Sequence, residues 1–181
     1  MKKDELFTKN EPLWRADMNF YYENICKFLY SEARCLDDQD FEGWLGHYDK
    51  NVEFWMPSWD DDGDLTSNPR NEISLMYYEN RDGLEDRVFR IQTERSGASS
   101  EPAPRTLHSI SNIEVVDCSN HVCNVRFNWI TKSFRYNIVD TYFGVSFVDL
   151  IINDTEDFLI SRKKIVLKND YIHHVVDIYH V

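Results

Sequence analysis

Basic charge is in short supply in this chain: 20 Lys and Arg stand against 32 Asp and Glu, a formal net charge of −12. That balance argues against nucleic-acid binding, which needs clustered cations facing a phosphate backbone. No run of about 18 apolar residues occurs, so no membrane-spanning helix is expected. The opening "MKKDELFTKNEPLW" has lysines but no apolar stretch behind them, so it does not read as a secretory signal. A cytoplasmic location is therefore the default expectation. The six glycines are scattered, and no P-loop, Gly-rich phosphate loop or G-x-S-x-G is present. No H-x-x-x-H or H-x-x-x-x-H begins a two-His, one-carboxylate iron site. No C-x-H followed by C-x-x-H offers two thiolates and two imidazoles to an iron–sulfur cluster.

Cysteine is also sparse. Cys26, Cys35, Cys118 and Cys123 form no C-x-x-C, and in a cytosolic chain free buried thiols are expected. The cluster "CSNHVC" brings Cys118, His121 and Cys123 together, but without a fourth nearby ligand or a common zinc spacing.

What remains is enough for one folded domain over 1–181, with 1–13 as a loose lead: 42% hydrophobic and 14% aromatic residues supply a sizeable core. From Asp17 to Leu36 apolar residues recur at Phe20, Tyr21, Ile25, Phe28, Leu29 and Leu36, a helical rhythm with Asp17 as a plausible N-cap. A short helix from about Asp40 to His47 would pack Phe41, Trp44 and Leu45 against the first. "VEFWMP" reads as a strand that Pro57 ends. "RDGLEDRVFRIQTERS" reads as a third helix, and "GASSEPAPRT" as a loop. From Thr106 onward five segments rich in Val, Ile, Phe, Tyr and Thr read as strands, the last being "YIHHVVDIYHV". Helices followed by a run of strands is an α+β plan, with helices on one face of a curved sheet.

Three stretches invite a functional reading. In "WDDDGD", Asp60, Asp61, Asp62 and Asp64 surround Gly63. Counting from Asp60, Gly63 is fourth and Asn71 twelfth, so the EF-hand pattern fails and a solvated acidic turn is expected. In the third helix Arg87, Arg90 and Arg95 interleave with acids. Asp86 and Arg90 are placed for an i, i+4 pair, and the rest suits either an exposed salt-laced face or a subunit interface. In the carboxyl-terminal strand His173 and His174 would point to opposite faces, and His173 and Asp177 would lie about 13 Å apart. No His–Asp pair is then possible within that segment. His174, between Ile172 and Val176, would line the apolar side, either as a core histidine or as a general base in a pocket.

Taken together, "FLYSEARCLDDQDFEGWL" (Phe28 to Leu45), "FWMPSWDDDGDLT", "EISLMYY", "GLEDRVFRIQTERS", "RTLHSISNIEV", "RFNW", "DTYFG" and "VLKNDYIHHVVDIYHV" resemble the small (β) subunit of aromatic-ring-hydroxylating dioxygenases, of the benzoate, toluate and anthranilate types. The resemblance runs from about Trp14 to Val181. It departs at the lead Met1 to Leu13 and at Ile130, where a His is expected.

The resemblance implies a cone-shaped fold of the NTF2-like kind and a hexamer of three large and three small subunits, so that the chain meets large subunits and copies of itself. It implies a Rieske [2Fe–2S] cluster and a mononuclear Fe(II) in the large subunit, with NADH electrons arriving through a separate, transiently bound reductase. No catalytic, metal or cofactor residue is then expected in this chain. Arg87, Arg90 and Arg95, with Trp59, Asp60 and Asp62, become candidate subunit contacts. A rival reading keeps the fold but makes the chain a stand-alone pocket enzyme, a dehydratase or isomerase, with His174 and an acid such as Asp140 or Asp149 moving a proton. A third is a plain binding module.

Overall fold

The computed structural model describes residues 13–93, 102–119, 121–152 and 157–181, with side chains from residue 21 onward. The proposed lead therefore lies almost wholly outside the described residues, as does Arg95.

Helix α1 spans Leu13–Asp37, so Asp17 falls inside the helix rather than capping it. Its buried stripe is Ile25, Leu29, Ala33 and Leu36, the 3–4 spacing of an amphipathic helix. Helix α2 spans Phe41–Leu45 and is capped by Asp40, whose Oδ1 accepts from the Gly43 amide at 3.0 Å. Strand β1 runs Tyr48–Pro57 and β2 Ser74–Tyr78; helix α3, Arg81–Gln92, follows. The sequence reading assigned no element to "EISLMYY", which supplies β2. Four long strands complete the chain: β3 (Arg105–Ser119), β4 (Val122–Arg135), β5 (Ile138–Ile152) and β6 (Phe158–Leu167).

The six strands form one mixed sheet in the order β2-β1-β6-β5-β4-β3, in which only β1 and β6 run parallel. Strand β4 shows why the sheet has two different faces. Cys123, Val125, Phe127, Trp129, Thr131 and Ser133 are buried, while Ile130, Lys132 and Phe134 between them are exposed. Close packing on the inner face has a backbone cost: Gly144 lies so near the Val166 carbonyl and the Trp129 ring that a Cβ there would overlap both.

Beneath the helices lies a buried polar knot. One Glu32 oxygen accepts from Trp44 Nε1 at 2.8 Å, Tyr48 Oη at 2.6 Å and Lys163 Nζ at 2.8 Å. It ties α1, α2, β1 and β6 together.

Two expectations are corrected. "YIHHVVDIYHV" is not a strand. Residues 168–177 are irregular and end in a 3-10 turn, Ile178–His180, capped by Asp177. The buried Asp177 carboxylate takes a two-toothed grip from Arg87 and also accepts from the Ile178 amide, so the segment is tied to α3 instead of a sheet edge. Nor are all the cysteines free. Cys118 and Cys123 face each other across the β3–β4 hairpin, 4.1 Å apart at Cα, and form a disulfide. Cys26 and Cys35 are free.

Candidate functional site

Two surfaces stand out. The first is the uncovered face of the sheet. Alternation sends Leu107, Ile130, Phe134, Val139, Phe143 and Phe147 outward, all more than a third exposed. Register brings them together: Ile130 stands opposite Phe143 and Phe134 opposite Val139. Arg105 lies over the Phe134 ring at 5.5 Å. Contiguous exposed apolar patches of this kind are commonly where proteins associate. Ile130, the position that departs from the resemblance, sits in its middle.

The second is a cavity of about 250 Å³ at one end of the inner face, lined by Ser133, Arg135, Asp140, Tyr142, His174 and His180 among others. His180 is a core residue whose ring stacks on Tyr142 at 4.5 Å. Burial, together with nearby His108, His174 and Arg135, lowers its pKa to about 3, so the ring is neutral. Its Nδ1 accepts from the Asp177 amide at 3.0 Å, which places the proton on Nε2. Burial and the Asp140 carboxylate push the Tyr142 phenol up to about 12, so it stays protonated. His174 Nε2 is 3.8 Å from Asp140 Oδ2, within ion-pair reach but beyond a hydrogen bond.

One cross-strand row deeper, His108 stands opposite Thr131 and Thr131 opposite Tyr142. Asp37, at the end of α1, holds His108 twice, through the ring Nδ1 at 2.6 Å and the backbone amide at 2.9 Å. Burial would raise the Asp37 pKa, but the His108 hydrogen bonds outweigh it and lower the value. His108 Nε2 and Thr131 Oγ1 are buried with no hydrogen-bond partner among the described residues.

The residues singled out in the sequence separate into groups. His174 and Asp140 do meet at the cavity, though His174 is 62% exposed and is no core residue. Asp149 does not join them. It lies on the opposite face of β5 and accepts from Asn124 Nδ2 at 2.7 Å. Trp59 donates Nε1 to the Leu167 carbonyl at 2.7 Å and carries Lys168 over its ring. Asp60 folds the acidic turn on itself by accepting from the amides of Asp62 and Asp64. Arg90 makes the expected exposed pair with Asp86, whereas Arg87 reaches inward to Asp177. Sequence reasoning missed the Asp37–His108 pair and His180. The alternation of β3 was the available signal for His108; nothing local marked Asp37 as its partner. Among the described residues no group of three or more His, Cys, Asp or Glu side chains could hold a metal ion, and no helix is long and apolar enough to cross a membrane.

Comparison with known proteins gives these arrangements a context. A family described as "Ring hydroxylating beta subunit" matches residues 31–174. The toluate 1,2-dioxygenase subunit beta of Pseudomonas putida is 53% identical over 91% of this chain and 100% of its own length. The benzoate 1,2-dioxygenase subunit beta of Acinetobacter baylyi is 53% identical over 88% of this chain and 93% of its own. Among solved structures, the beta subunit of benzoate 1,2-dioxygenase from Burkholderia mallei superposes with a TM-score of 0.73 at 48% identity, covering 87% of this chain and 95% of that one. A scytalone dehydratase-like protein from Novosphingobium aromaticivorans shares the fold at a TM-score of 0.64 but only 16% identity, over 90% of this chain and 95% of that one.

Proposed function

The chain belongs to the ring hydroxylating beta subunit family, and from that premise we propose that it is the beta subunit of a dioxygenase acting on benzoate-like aromatic acids. It is the non-catalytic component of an oxidoreductase complex, and its fold is the NTF2-like α+β fold expected from the sequence. One observation carries the reading: about half the residues are identical to those of toluate and benzoate dioxygenase beta subunits along nearly the whole chain. The pocket-enzyme reading has no comparable support, since a likeness at 16% identity speaks only to the fold.

In this reading the chain holds large alpha subunits in register within a hexamer of three alpha and three beta subunits. The alpha subunit carries the Rieske [2Fe–2S] cluster and the mononuclear Fe(II), and NADH supplies electrons through a separate reductase. A rigid scaffold suits that task. Four long strands pair in succession, β4 and β5 in continuous register along their length, and the buried Glu32 knot locks the helices onto the sheet.

The contact surface is assigned to the apolar stripe around Ile130 and Phe143, with the Trp59–Asp60–Asp62 loop and the exposed Arg90 of α3 as separate candidate contacts elsewhere on the chain. Arg95, beyond the described residues, belongs with Arg90 in this assignment. Arg87 contributes by fixing the carboxyl-terminal segment. The test is co-purification of tagged beta subunit with its alpha partner, comparing wild type with Phe143→Asp. The variant is expected to fold alone, because residue 143 is 44% exposed, and to lose the partner. Full retention of a catalytically normal complex would overturn the surface assignment. Failure of the wild type to capture any Rieske-type subunit would overturn the function.

A further inference from the structure

We propose that the cavity beside His180 is a binding site for a small, uncharged hydroxyaromatic molecule. Arg135 and Asp140 both line the cavity with opposite charge, and His174 lies 3.8 Å from Asp140, so neither an anion nor a cation meets a wall of one opposite sign. His180 is held neutral and Tyr142 protonated, so neither tips that balance. A neutral ligand is what this lining favours.

Hydrogen-bonding capacity narrows the class further. With Nδ1 engaged by the Asp177 amide, His180 has only Nε2–H to offer. Tyr142 and Ser133 add hydroxyl donors, while Asp140 is an acceptor. A hydroxyl group is the simplest function that can donate to Asp140 and accept from His180, Tyr142 or Ser133. The remaining walls are flat or aliphatic: Tyr136, Ile138 and Val175, with the stacked Tyr142–His180 pair. These suit a single ring. Size agrees, because a cavity of about 150 Å³ already accepts benzene and this one is about 250 Å³.

A second observation points the same way. Behind the cavity wall, in the cross-strand row that includes Tyr142 but not themselves in the lining, His108 Nε2 and Thr131 Oγ1 are buried with no hydrogen-bond partner among the described residues. Buried polar atoms are seldom left so in a finished core. Asp37 fixes the His108 ring from the other side, so the polar row behind the wall is held in place. The polar lining of Ser133, Asp140, Tyr142 and His180 is thus set on a wall that is itself polar behind.

The experiment titrates the full-length chain with phenol, followed by ligand-observed NMR and calorimetry, with anisole as the control that lacks the hydroxyl proton. Phenol is expected to bind with a Kd of about 1 mM or tighter, a normal efficiency for so small a ligand. Anisole is expected to bind at least tenfold more weakly. Asp140→Asn should weaken phenol at least tenfold, and Val175→Trp should abolish binding by filling the mouth. Val175 is 68% exposed, so that second variant leaves the core alone. No phenol binding at 20-fold above the expected Kd, equal binding of phenol and anisole, or indifference to both substitutions would each overturn the proposal.

Discussion

Glu32 and Lys163, 131 residues apart in the chain, meet at 2.8 Å in a place where their side chains are only 3% and 4% exposed. Trp44 and Tyr48 donate to the same Glu32 oxygen. The charge is therefore paired and hydrogen-bonded, the condition under which a buried ion is tolerated.

Removing one partner should be far worse than removing both. Glu32→Gln or Lys163→Met leaves a buried charge or donor set uncompensated, and each is expected to cost about 3–5 kcal/mol. For a chain of this size that lowers Tm by roughly 6–20 °C. A double replacement by apolar residues of similar volume should recover much of the loss. Thermal unfolding of the two singles and the double, as a mutant cycle, reads this directly; additive losses would contradict it.

Acid should act on the same knot. Burial alone would raise the Glu32 pKa, but Lys163 and the three hydrogen bonds bring it below the usual value of 4.5. A carboxylate with a lowered folded pKa contributes stability that is complete above its unfolded pKa and is lost as pH falls through the folded one. Denaturant midpoints should fall below pH 4.5 in the wild type. They should fall less steeply in the double variant.

His180 makes a separate contribution at milder pH. Its folded pKa is about 3 against an ordinary 6.5, so the unfolded chain binds a proton that the folded chain does not. Stability then falls as pH drops from 6.5 towards 3, at up to about 1.4 kcal/mol per unit for this one group. His180→Asn keeps an acceptor for the Asp177 amide and removes the titration. Its stability is expected to be lower at pH 7.5 but flatter between pH 6.5 and 4.5, by equilibrium unfolding in urea.

The disulfide between Cys118 and Cys123 gives a chemical prediction. Alkylation of unfolded, unreduced protein should label two thiols, at Cys26 and Cys35, and label four after reduction. Because the closed loop is short, chain-entropy arguments give about 2 kcal/mol of stabilisation. Four labelled thiols without reductant would contradict the pairing.

Much of this was legible from residue patterns. The spacing of Ile25, Leu29 and Leu36 identified α1, and the β-branched and aromatic richness of "VCNVRFNWITKSFRYN", with its partial alternation, identified β4. What escaped was register and long-range pairing. Cys118 and Cys123 join because a hairpin turn sets them opposite each other, which the spacing alone does not state. "YIHHVVDIYHV" has strand composition, yet its course is set by Arg87, 90 positions earlier. Nor does composition say which face of β4 and β5 the helices cover, so the exposed apolar face of Ile130 and Phe143 emerges only from the sheet.

That same Arg87 separates folding from assembly in the arginine helix. Its guanidinium grips Asp177, whose side chain is 0% exposed, and burial of the pair raises nothing in its favour unless both members stay. Arg87→Ala should therefore destabilise the isolated chain by about 3 kcal/mol or more and release Ile178, Tyr179 and His180 from the core. Arg90, 56% exposed and paired with Asp86 one helical turn away, should behave differently. Arg90→Ala is expected to cost the isolated chain about 0.5 kcal/mol or less, and Arg90→Glu to weaken capture of the alpha subunit while leaving Tm nearly unchanged. Unfolding of both single variants, followed by co-purification of Arg90→Glu, distinguishes the two roles. A stable Arg87→Ala chain would show that the carboxyl-terminal segment is held by its apolar contacts alone, and an Arg90→Glu chain that assembles normally would remove this side of α3 from the candidate contacts.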